Sequence, residues 1–320
     1  MKTVSLVTGD TIPVIGLGTW QASEAVIQQA IHVALDGGYR HIDCAPIYLN
    51  EPAIGRALQR YLARENVTIK RENLWITSKL WNSFHAPEQV EPALKQTLHD
   101  LQLEYLDLYL IHWPVAFKAA VGLDRPQRGE DYVALEQIPL TATWQALEAL
   151  VDKGLVKNIG VSNFSISKLK TILAIAKHQP AVNQVESHPY LPQTELLTFC
   201  QQHNIVMTAY SPLGSGGRDA AFKKPDEPSV LNDTTIHAIA KSHAVTPAQV
   251  LLAWQIARGV VVIPKSVHPE RIQQNLAAIK VKLTKDDMEQ IDYIDQEIRY
   301  IDGSFWETAG SPYTAQGIWQ

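Results

Sequence analysis

The stretch Leu106-Asp107-Leu108-Tyr109-Leu110-Ile111-His112 joins a mostly apolar run to a reactive side chain at its end. Apolar runs of this length are typical of a strand that is buried on both faces of a parallel sheet. The preceding segment carries Val90, Leu94, Leu98 and Leu101, which is the spacing of an amphipathic helix. The pattern therefore indicates an α/β fold in which strands and helices alternate along the chain.

The same unit, an apolar run followed by an amphipathic helix, occurs eight times. The predicted strands cover residues 15–19, 41–43, 74–78, 106–111, 158–162, 181–186, 205–210 and 260–263. Eight such units predict closure into a (β/α)8 TIM barrel. Residues 3–7 and 11–15 predict a β-hairpin ahead of the barrel. We expect one domain over residues 1–320, with the hairpin at 1–15, an extra helix near 285–297 and an irregular C-terminal tail at 297–320.

A doubly wound Rossmann sheet is the alternative arrangement of alternating strands and helices. It requires a G-x-G-x-x-G fingerprint after the first strand. Gly16-Leu17-Gly18-Thr19-Trp20-Gln21 lacks the last glycine, so we exclude this fold. Two irregular stretches, 114–140 and 211–231, interrupt the alternation of strands and helices, and the first is long enough to predict a functional loop.

The composition excludes several classes of protein. The chain has 320 residues, of which 46% are hydrophobic and 19% charged, so it is not intrinsically disordered. Its net charge of −5 and its lack of a long apolar run give no reason to expect a nucleic-acid or membrane partner. The two cysteines form no disulfide framework, and residues 1–10 lack the apolar region expected of a signal peptide. We expect a cytoplasmic protein without a metal, as a monomer, with a dimer as the alternative.

Reactive side chains follow the predicted strands at their C-terminal ends, where barrels of this kind carry their active sites. These residues are Asp43, Lys79, His112, Asn163, Glu186, Tyr210 and Lys265. Each has a structural explanation when taken singly: an aspartate often caps a helix and a lysine is usually solvated. Together at one end of a barrel, they predict a catalytic site.

Several of these segments resemble those of aldo-keto reductases. Asp43-Cys44-Ala45-Pro46-Ile47-Tyr48 resembles the family's Asp-x-x-x-x-Tyr segment, and residues 77–81 and 106–114 resemble its lysine and histidine segments. Residues 159–164, Gln184 and 263–266 extend the resemblance, which runs from about residue 4 to residue 295. Within the family, the sequence is most similar to aldose reductases and xylose reductases.

The resemblance implies a catalytic tetrad of Asp43, Tyr48, Lys79 and His112. Carbonyl reduction needs a hydride for the carbon and a proton for the oxygen. A phenol has the proton, but its ordinary pKa near 10 makes it a weak acid at neutral pH. We expect the Lys79 ammonium to lower that pKa, Asp43 to hold Lys79 charged, and His112 to position the carbonyl oxygen.

The resemblance also implies NADPH (NADP⁺) as cofactor. Asn163 and Gln184 carry amides that suit the nicotinamide carboxamide, while Lys265 and Arg271 suit the ribose 2′-phosphate. The full set of predicted cofactor residues is Thr19, Trp20, Asp43, Ser162, Asn163, Gln184, Tyr210, Ser211, Leu213, Ser215, Lys265, Ser266, Val267, His268, Arg271, Gln274 and Asn275.

The predicted substrate is a small carbonyl compound, namely an aldehyde, with aldoses and some ketones included. Its pocket is expected to be largely aromatic, and the residues predicted to line it are Trp20, Tyr48, Trp81, His112, Trp113 and Trp306. Tyr313 in the tail and Phe117 are further candidates for this wall.

Two positions depart from the family pattern. His268 stands where relatives often have Thr or Asn beside the 2′-phosphate, so we expect cofactor affinity to vary with pH near 6–7. Relatives latch the loop over the pyrophosphate by an Asp near Gly217 and a Lys near Gln21, and neither is present here. We do not assume that Asp219 substitutes for the missing Asp, and we expect a weaker latch and faster cofactor release.

Two other functions remain open at this point. A non-catalytic barrel that binds the cofactor as a regulatory sensor is the first alternative, although the complete tetrad argues against it. The second is a lyase or isomerase that forms a Schiff base on Lys79.

Overall fold

The computed structural model describes residues 1–219, 223–224 and 226–320. In the described residues the strands are β1 (Thr3–Ser5), β2 (Thr11–Pro13), β3 (Leu17–Gly18), β4 (His41–Asp43), β5 (Trp75–Leu80), β6 (Leu106–Ile111), β7 (Ala116–Phe117), β8 (Tyr132–Val133), β9 (Val156–Ser162), β10 (Val182–Glu186), β11 (Val206–Tyr210) and β12 (Val261–Val262). One parallel sheet contains β3, β4, β5, β6, β9, β10, β11 and β12 in that order.

The eight-stranded sheet closes on itself. Bridges from Ile15 to Val262 and from Gly18 to Lys265 join its first strand to its last. Gly18 makes this approach possible, because a Cβ atom there would lie 2.6 Å from the carbonyl oxygen of Ile263. The closed parallel sheet with surrounding helices confirms the predicted (β/α)8 barrel.

Most of the helices follow barrel strands and cover the outside of the sheet, whereas the last two come after the final strand–helix unit. They are α1 (Glu24–Gly37), α2 (Glu51–Leu62), α3 (Pro87–Leu101), α4 (Leu140–Asp152), α5 (Ile166–Leu173), α6 (Thr194–Gln202), α7 (Thr234–Ser242), α8 (Pro247–Ala257), α9 (Pro269–Ala277), α10 (Lys285–Asp292) and α11 (Ala315–Trp319). The main core lies between this layer and the sheet, where apolar side chains such as Ile31, Leu58 and Leu94 are buried. No helix in the described part of the chain is long and apolar enough to cross a membrane.

The antiparallel pair β1–β2 covers the end of the barrel at which the strands begin. Its Leu6 and Ile12 belong to the same apolar cluster as Val182 and Val261, each near the start of its strand. Its turn also binds the barrel, because the side-chain amide of Asn158 donates to Asp10 Oδ2 at 2.7 Å. The opposite end of the barrel therefore remains for a site.

The prediction of wholly irregular loops and tail was wrong in two places. Residues 114–140 contain the antiparallel pair β7–β8, and the tail contains a 3-10 turn at Ser304–Trp306 as well as α11. Contacts distant in sequence stabilise these short elements, since the Tyr313 hydroxyl accepts the N–H of Ala116 at 2.9 Å. The extra helix α10 also ends at Asp292, five residues before the predicted bound of 297.

Candidate active site

A cleft of about 1250 Å³ opens at the C-terminal ends of the barrel strands. The predicted site residues that line it are Thr19, Trp20, Asp43, Tyr48, Trp81, His112, Trp113, Ser162, Asn163, Gln184, Tyr210, Ser211, Leu213, Ser215, Lys265, Ser266, Val267, His268, Arg271, Gln274, Asn275 and Trp306. Of the predicted tetrad, Lys79 does not line the cleft, because it is fully buried beneath Tyr48. The strand-end residue Glu186 does not line it either. Among the described residues, no group of three or more His, Cys, Asp or Glu side chains is arranged to hold a metal ion.

A buried ion pair lies at the centre of the cleft floor. Asp43 ends β4 and Lys79 lies in β5, the neighbouring strand, whose Thr77 pairs in register with Asp43. The Lys79 ammonium nitrogen is 2.5 Å from Asp43 Oδ1, 2.8 Å from the carbonyl oxygen of Cys44 and 3.4 Å from the Tyr48 hydroxyl. Because its three donors all have acceptors, the lysine can stay charged without solvent.

The acidity of this group depends on burial as well as on charge. Burial is the largest single effect on Lys79 and opposes its charge, but the charge and hydrogen bond of Asp43 together with the charge of Tyr48 exceed it and raise the pKa of Lys79. Burial raises the pKa of Tyr48 above its usual range, while Lys79 acts in the opposite direction. Lys79 therefore acts on the pKa of Tyr48 in the expected direction, but desolvation, which the sequence analysis did not consider, exceeds its effect. The pKa of Tyr48 is raised overall, and the phenol stays protonated at neutral pH.

His112 follows β6 and faces Tyr48 across the cleft, with 6.0 Å between the two ring centroids. Burial and the nearby Lys79 charge hold the pKa of His112 well below its usual range. The imidazole is therefore neutral and carries one N–H, which can donate to an oxygen placed between it and Tyr48.

The predicted carboxamide ligands are connected to the tetrad by hydrogen bonds. The Gln184 amide nitrogen donates to Asp43 Oδ2 at 2.7 Å. The Asn163 amide donates to the carbonyl oxygen of His112 at 2.9 Å and accepts the Tyr210 hydroxyl at 2.7 Å. Both amide side chains are almost fully buried, so their orientations are determined before any ligand binds.

Lysine, histidine and arginine side chains lie close together at the other end of the cleft, where α9 begins. Lys265, His268 and Arg271 are exposed there, and His268 occupies the position before the first residue of the helix. A helix N-terminus carries free N–H groups and partial positive charge, which together with these side chains suits a phosphate. Lys265 also donates to the carbonyl oxygen of Gln21 at 3.4 Å, across the mouth of the cleft.

The loop after β11 is held by contacts that the sequence did not predict. Arg218 is buried and forms an ion pair with Glu227, and it donates to the carbonyl oxygen of Ser215 at 3.1 Å. Its guanidinium also lies 5.2 Å from the centroid of the Tyr300 ring in the tail. The sequence shows an arginine in a glycine-rich loop, but it does not reveal which residues that arginine contacts.

Aromatic rings form the remaining wall. Trp306 packs 6.1 Å from Trp81 and 5.7 Å from Trp113, centroid to centroid. Phe305, which the sequence analysis did not select, also lines the cleft and lies 5.5 Å from Trp113. Trp20 also lines the cleft and is 40% exposed.

Phe117 and Tyr313 lie behind this wall rather than in it, so their assignment to the pocket was wrong. Phe117 is fully buried and packs 5.3 Å from the Trp306 ring. The Tyr313 hydroxyl faces the β7–β8 pair and donates to the carbonyl oxygen of Val133 at 2.5 Å.

A closed (β/α)8 barrel with a polar, aromatic cleft at its strand ends has the form of a barrel enzyme. The aldo/keto reductase family model matches residues 14–296, and the chain belongs to this family of oxidoreductases. This match confirms the resemblance noted from the motifs.

Several known proteins are similar over almost the whole chain. An aldo/keto reductase of Synechocystis sp. is 53% identical over 319 residues, which cover 100% of this chain and 96% of the relative. Aldo-keto reductase family 1 member A1 of Rattus norvegicus is 48% identical over 300 residues, 94% of this chain and 91% of that protein. Its counterpart in Homo sapiens is 47% identical over 298 residues, 93% and 90% respectively.

Proposed function

We propose that this protein is an NADPH-dependent reductase that converts aldehydes, including aldoses and some ketones, to alcohols. The observation that carries the proposal is the position of the Tyr48 hydroxyl, 3.4 Å from a buried lysine that is itself paired with Asp43. A phenol next to a buried ammonium can release its proton at the moment a carbonyl oxygen gains charge. The relatives named aldo/keto reductases support the same reaction class.

Each tetrad residue then has one task. When bound, the nicotinamide cofactor supplies the hydride. Tyr48 donates its proton to the carbonyl oxygen, and Lys79 stabilises the phenolate that remains. His112, being neutral, donates one hydrogen bond to the same oxygen and so orients the substrate. Asp43 keeps Lys79 charged, because an unpaired ammonium in this buried place would tend to lose its proton.

The choice of NADPH over NADH depends on the end of the cleft at α9. Lys265 and Arg271 offer two positive charges to a 2′-phosphate, and His268 adds an imidazole N–H donor. Ser162, Asn163 and Gln184 offer donors and acceptors to the carboxamide at the other end. These donor sets fit both ends of the same dinucleotide.

We further propose that residues 1–320 act as one domain, as a cytoplasmic monomer. The two cysteines, Cys44 and Cys200, are buried and free, which suits a reducing compartment.

The test is a substrate panel, including glyceraldehyde and xylose, assayed with NADPH and with NADH. We expect turnover with NADPH, and a fall in kcat of about a thousandfold for Tyr48→Phe with NADPH binding retained. Saturable NADPH binding without turnover of any substrate would refute the reductase and favour the regulatory sensor. A substrate adduct on Lys79 after borohydride treatment would instead favour Schiff-base chemistry.

A further inference from the structure

A buried carboxylate attaches the C-terminal tail to the rim of the barrel. Glu186 ends β10 and is fully buried. Its two oxygens accept the backbone N–H groups of Tyr300 at 2.7 Å and Ile301 at 2.8 Å. The ring nitrogen of His188 contacts the same carboxylate at 2.8 Å, and the His188 ring lies 4.7 Å from the Tyr300 ring. These hydrogen bonds therefore attach the backbone at 300–301 to the end of β10.

The side chain of Tyr300 contacts the loop after β11. We call the described residues of this loop, 211–219, 223–224 and 226–231, the cofactor loop. The Tyr300 hydroxyl donates to the carbonyl oxygen of Pro228 at 2.9 Å and accepts the N–H of Val230 at 3.4 Å. Gly214 packs against the ring closely, since a Cβ atom there would lie 3.3 Å from Tyr300 Cε2. Lys224 and Asp302 add an ion pair at 3.2 Å between the same two segments.

The residues that follow Tyr300 form the aromatic wall. Ile301, Phe305 and Trp306 all line the cleft, only one to six residues beyond the point that Glu186 holds. Trp306 is 1% exposed and packs on both Trp81 and Trp113. A shift of the backbone at 300–301 would therefore move the wall on which a substrate packs.

We propose that Glu186 and Tyr300 are positioning residues that couple the cofactor loop to the wall of the substrate pocket. The proposal rests on the proposed function and on the predicted cofactor contacts of Ser211, Leu213 and Ser215, which belong to the cofactor loop and line the cleft. A dinucleotide that orders this loop fixes the contacts of Tyr300 with Gly214, Pro228 and Val230. Because Glu186 holds the same residue by its backbone, the order extends to Phe305 and Trp306. Such coupling acts equally in both directions between the two ligands.

The tail provides a matched control for Tyr300. The Tyr313 hydroxyl also accepts a backbone N–H, that of Ala116, and donates to a backbone carbonyl, that of Val133. Tyr313→Phe therefore removes the same two kinds of hydrogen bond from the same tail without touching the cofactor loop. Tyr300→Phe removes the corresponding hydrogen bonds where the tail contacts the cofactor loop. Both variants keep the aromatic ring.

The experiment compares amide hydrogen exchange at residues 300–306 with and without saturating NADPH, in wild type and in the two variants. We expect NADPH to slow exchange in wild type and in Tyr313→Phe by similar factors, and by a much smaller factor in Tyr300→Phe. Losing these hydrogen bonds should also raise KM for a bulky aromatic aldehyde about fivefold in Tyr300→Phe, with kcat changed much less. Glu186→Gln, which loses one acceptor oxygen, should likewise raise KM for this aldehyde, with kcat changed much less.

Two results would overturn the coupling. One is an NADPH effect on exchange in Tyr300→Phe as large as in wild type. The other is saturable NADPH binding to wild type, as measured by fluorescence, that leaves amide exchange at residues 300–306 as fast as it is without NADPH. Absence of NADPH binding in that fluorescence titration would overturn the proposed function and the coupling with it, so the two failures are distinguishable.

Discussion

Replacing Lys79 by methionine tests the chemistry of the cleft floor most directly. Methionine has a similar length and no charge, so Lys79→Met removes the ammonium that lies 3.4 Å from the Tyr48 hydroxyl. The side chain of Asp43 would then remain buried with Gln184 but without its ion-pair partner.

The distance sets the size of the expected effect. With an effective dielectric constant of about 20, a unit charge at 3.4 Å stabilises a phenolate by about 5 kcal/mol. Losing this contribution raises the already elevated pKa of Tyr48 further and makes the phenol a weaker acid. We expect kcat for aldehyde reduction to fall about a thousandfold or more. Alcohol oxidation, which needs the phenolate, should shift to higher pH.

Stability should change as well, because breaking a buried ion pair leaves one charge without a partner. Lys79→Met should lower the free energy of unfolding by about 3–5 kcal/mol, measured by urea denaturation. The double variant Asp43→Asn/Lys79→Met removes both charges and should recover most of that stability. It should not recover activity. If kcat returned together with stability, Lys79 would have only a structural role and our reasoning would be refuted.

Three further predictions concern other parts of the molecule. Burial raises the pKa of Glu51 from 4.5 to about 8, so the folded state keeps a proton that the unfolded chain releases, and the stability of the protein falls as the pH rises from 5 to 8. In urea denaturation, Glu51→Gln should remove this fall and be more stable than wild type by about 4 kcal/mol at pH 8, with no such gain at pH 5. Gly55→Ala would place a Cβ atom 2.4 Å from the carbonyl oxygen of Asp100 in α3, and should cost about 1–3 kcal/mol in the same assay, whereas a neutral result would show that α2 moves freely. His268→Ala should weaken NADPH binding and leave NADH binding unchanged, because only NADPH carries the 2′-phosphate; equal NADPH affinity of the two proteins in a fluorescence titration would exclude a phosphate contact by His268.

The barrel and the floor of the cleft were predictable because their signals are local. An apolar run followed by a polar residue marks both a strand and its C-terminal end, and the topology then brings all such ends together. Asp43 and His112 are positioned in this way, immediately at or after their strands. Lys79 lies one residue before the end of its strand rather than at or after it, because β5 continues to Leu80. The net effect on the Tyr48 pKa was not predictable, because it depends on how completely the phenol is buried.

The contacts of the cofactor loop and the tail depend on irregular segments, which have no periodicity to identify. Glu186 was visible as a strand-end residue, but its partners are backbone N–H groups 114 and 115 residues further along the chain. Every residue except proline carries a backbone N–H group, so no side chain in the sequence identifies the residues that donate to the Glu186 carboxylate. Arg218 and Glu227 illustrate the same limit: the charges are evident in the sequence, whereas their pairing depends on the folded loop.

The two ends of the cleft differ in how they would contribute to cofactor affinity. Asn163 and Gln184 are buried and already hydrogen bonded to the tetrad or to Tyr210, so binding a carboxamide there adds orientation with little new order. Lys265 and Arg271 are exposed, and the ion pairs that they offer to a phosphate are screened by salt. The preference for NADPH over NADH should therefore decrease as ionic strength rises, while the geometry at Tyr48, and with it kcat, stays the same.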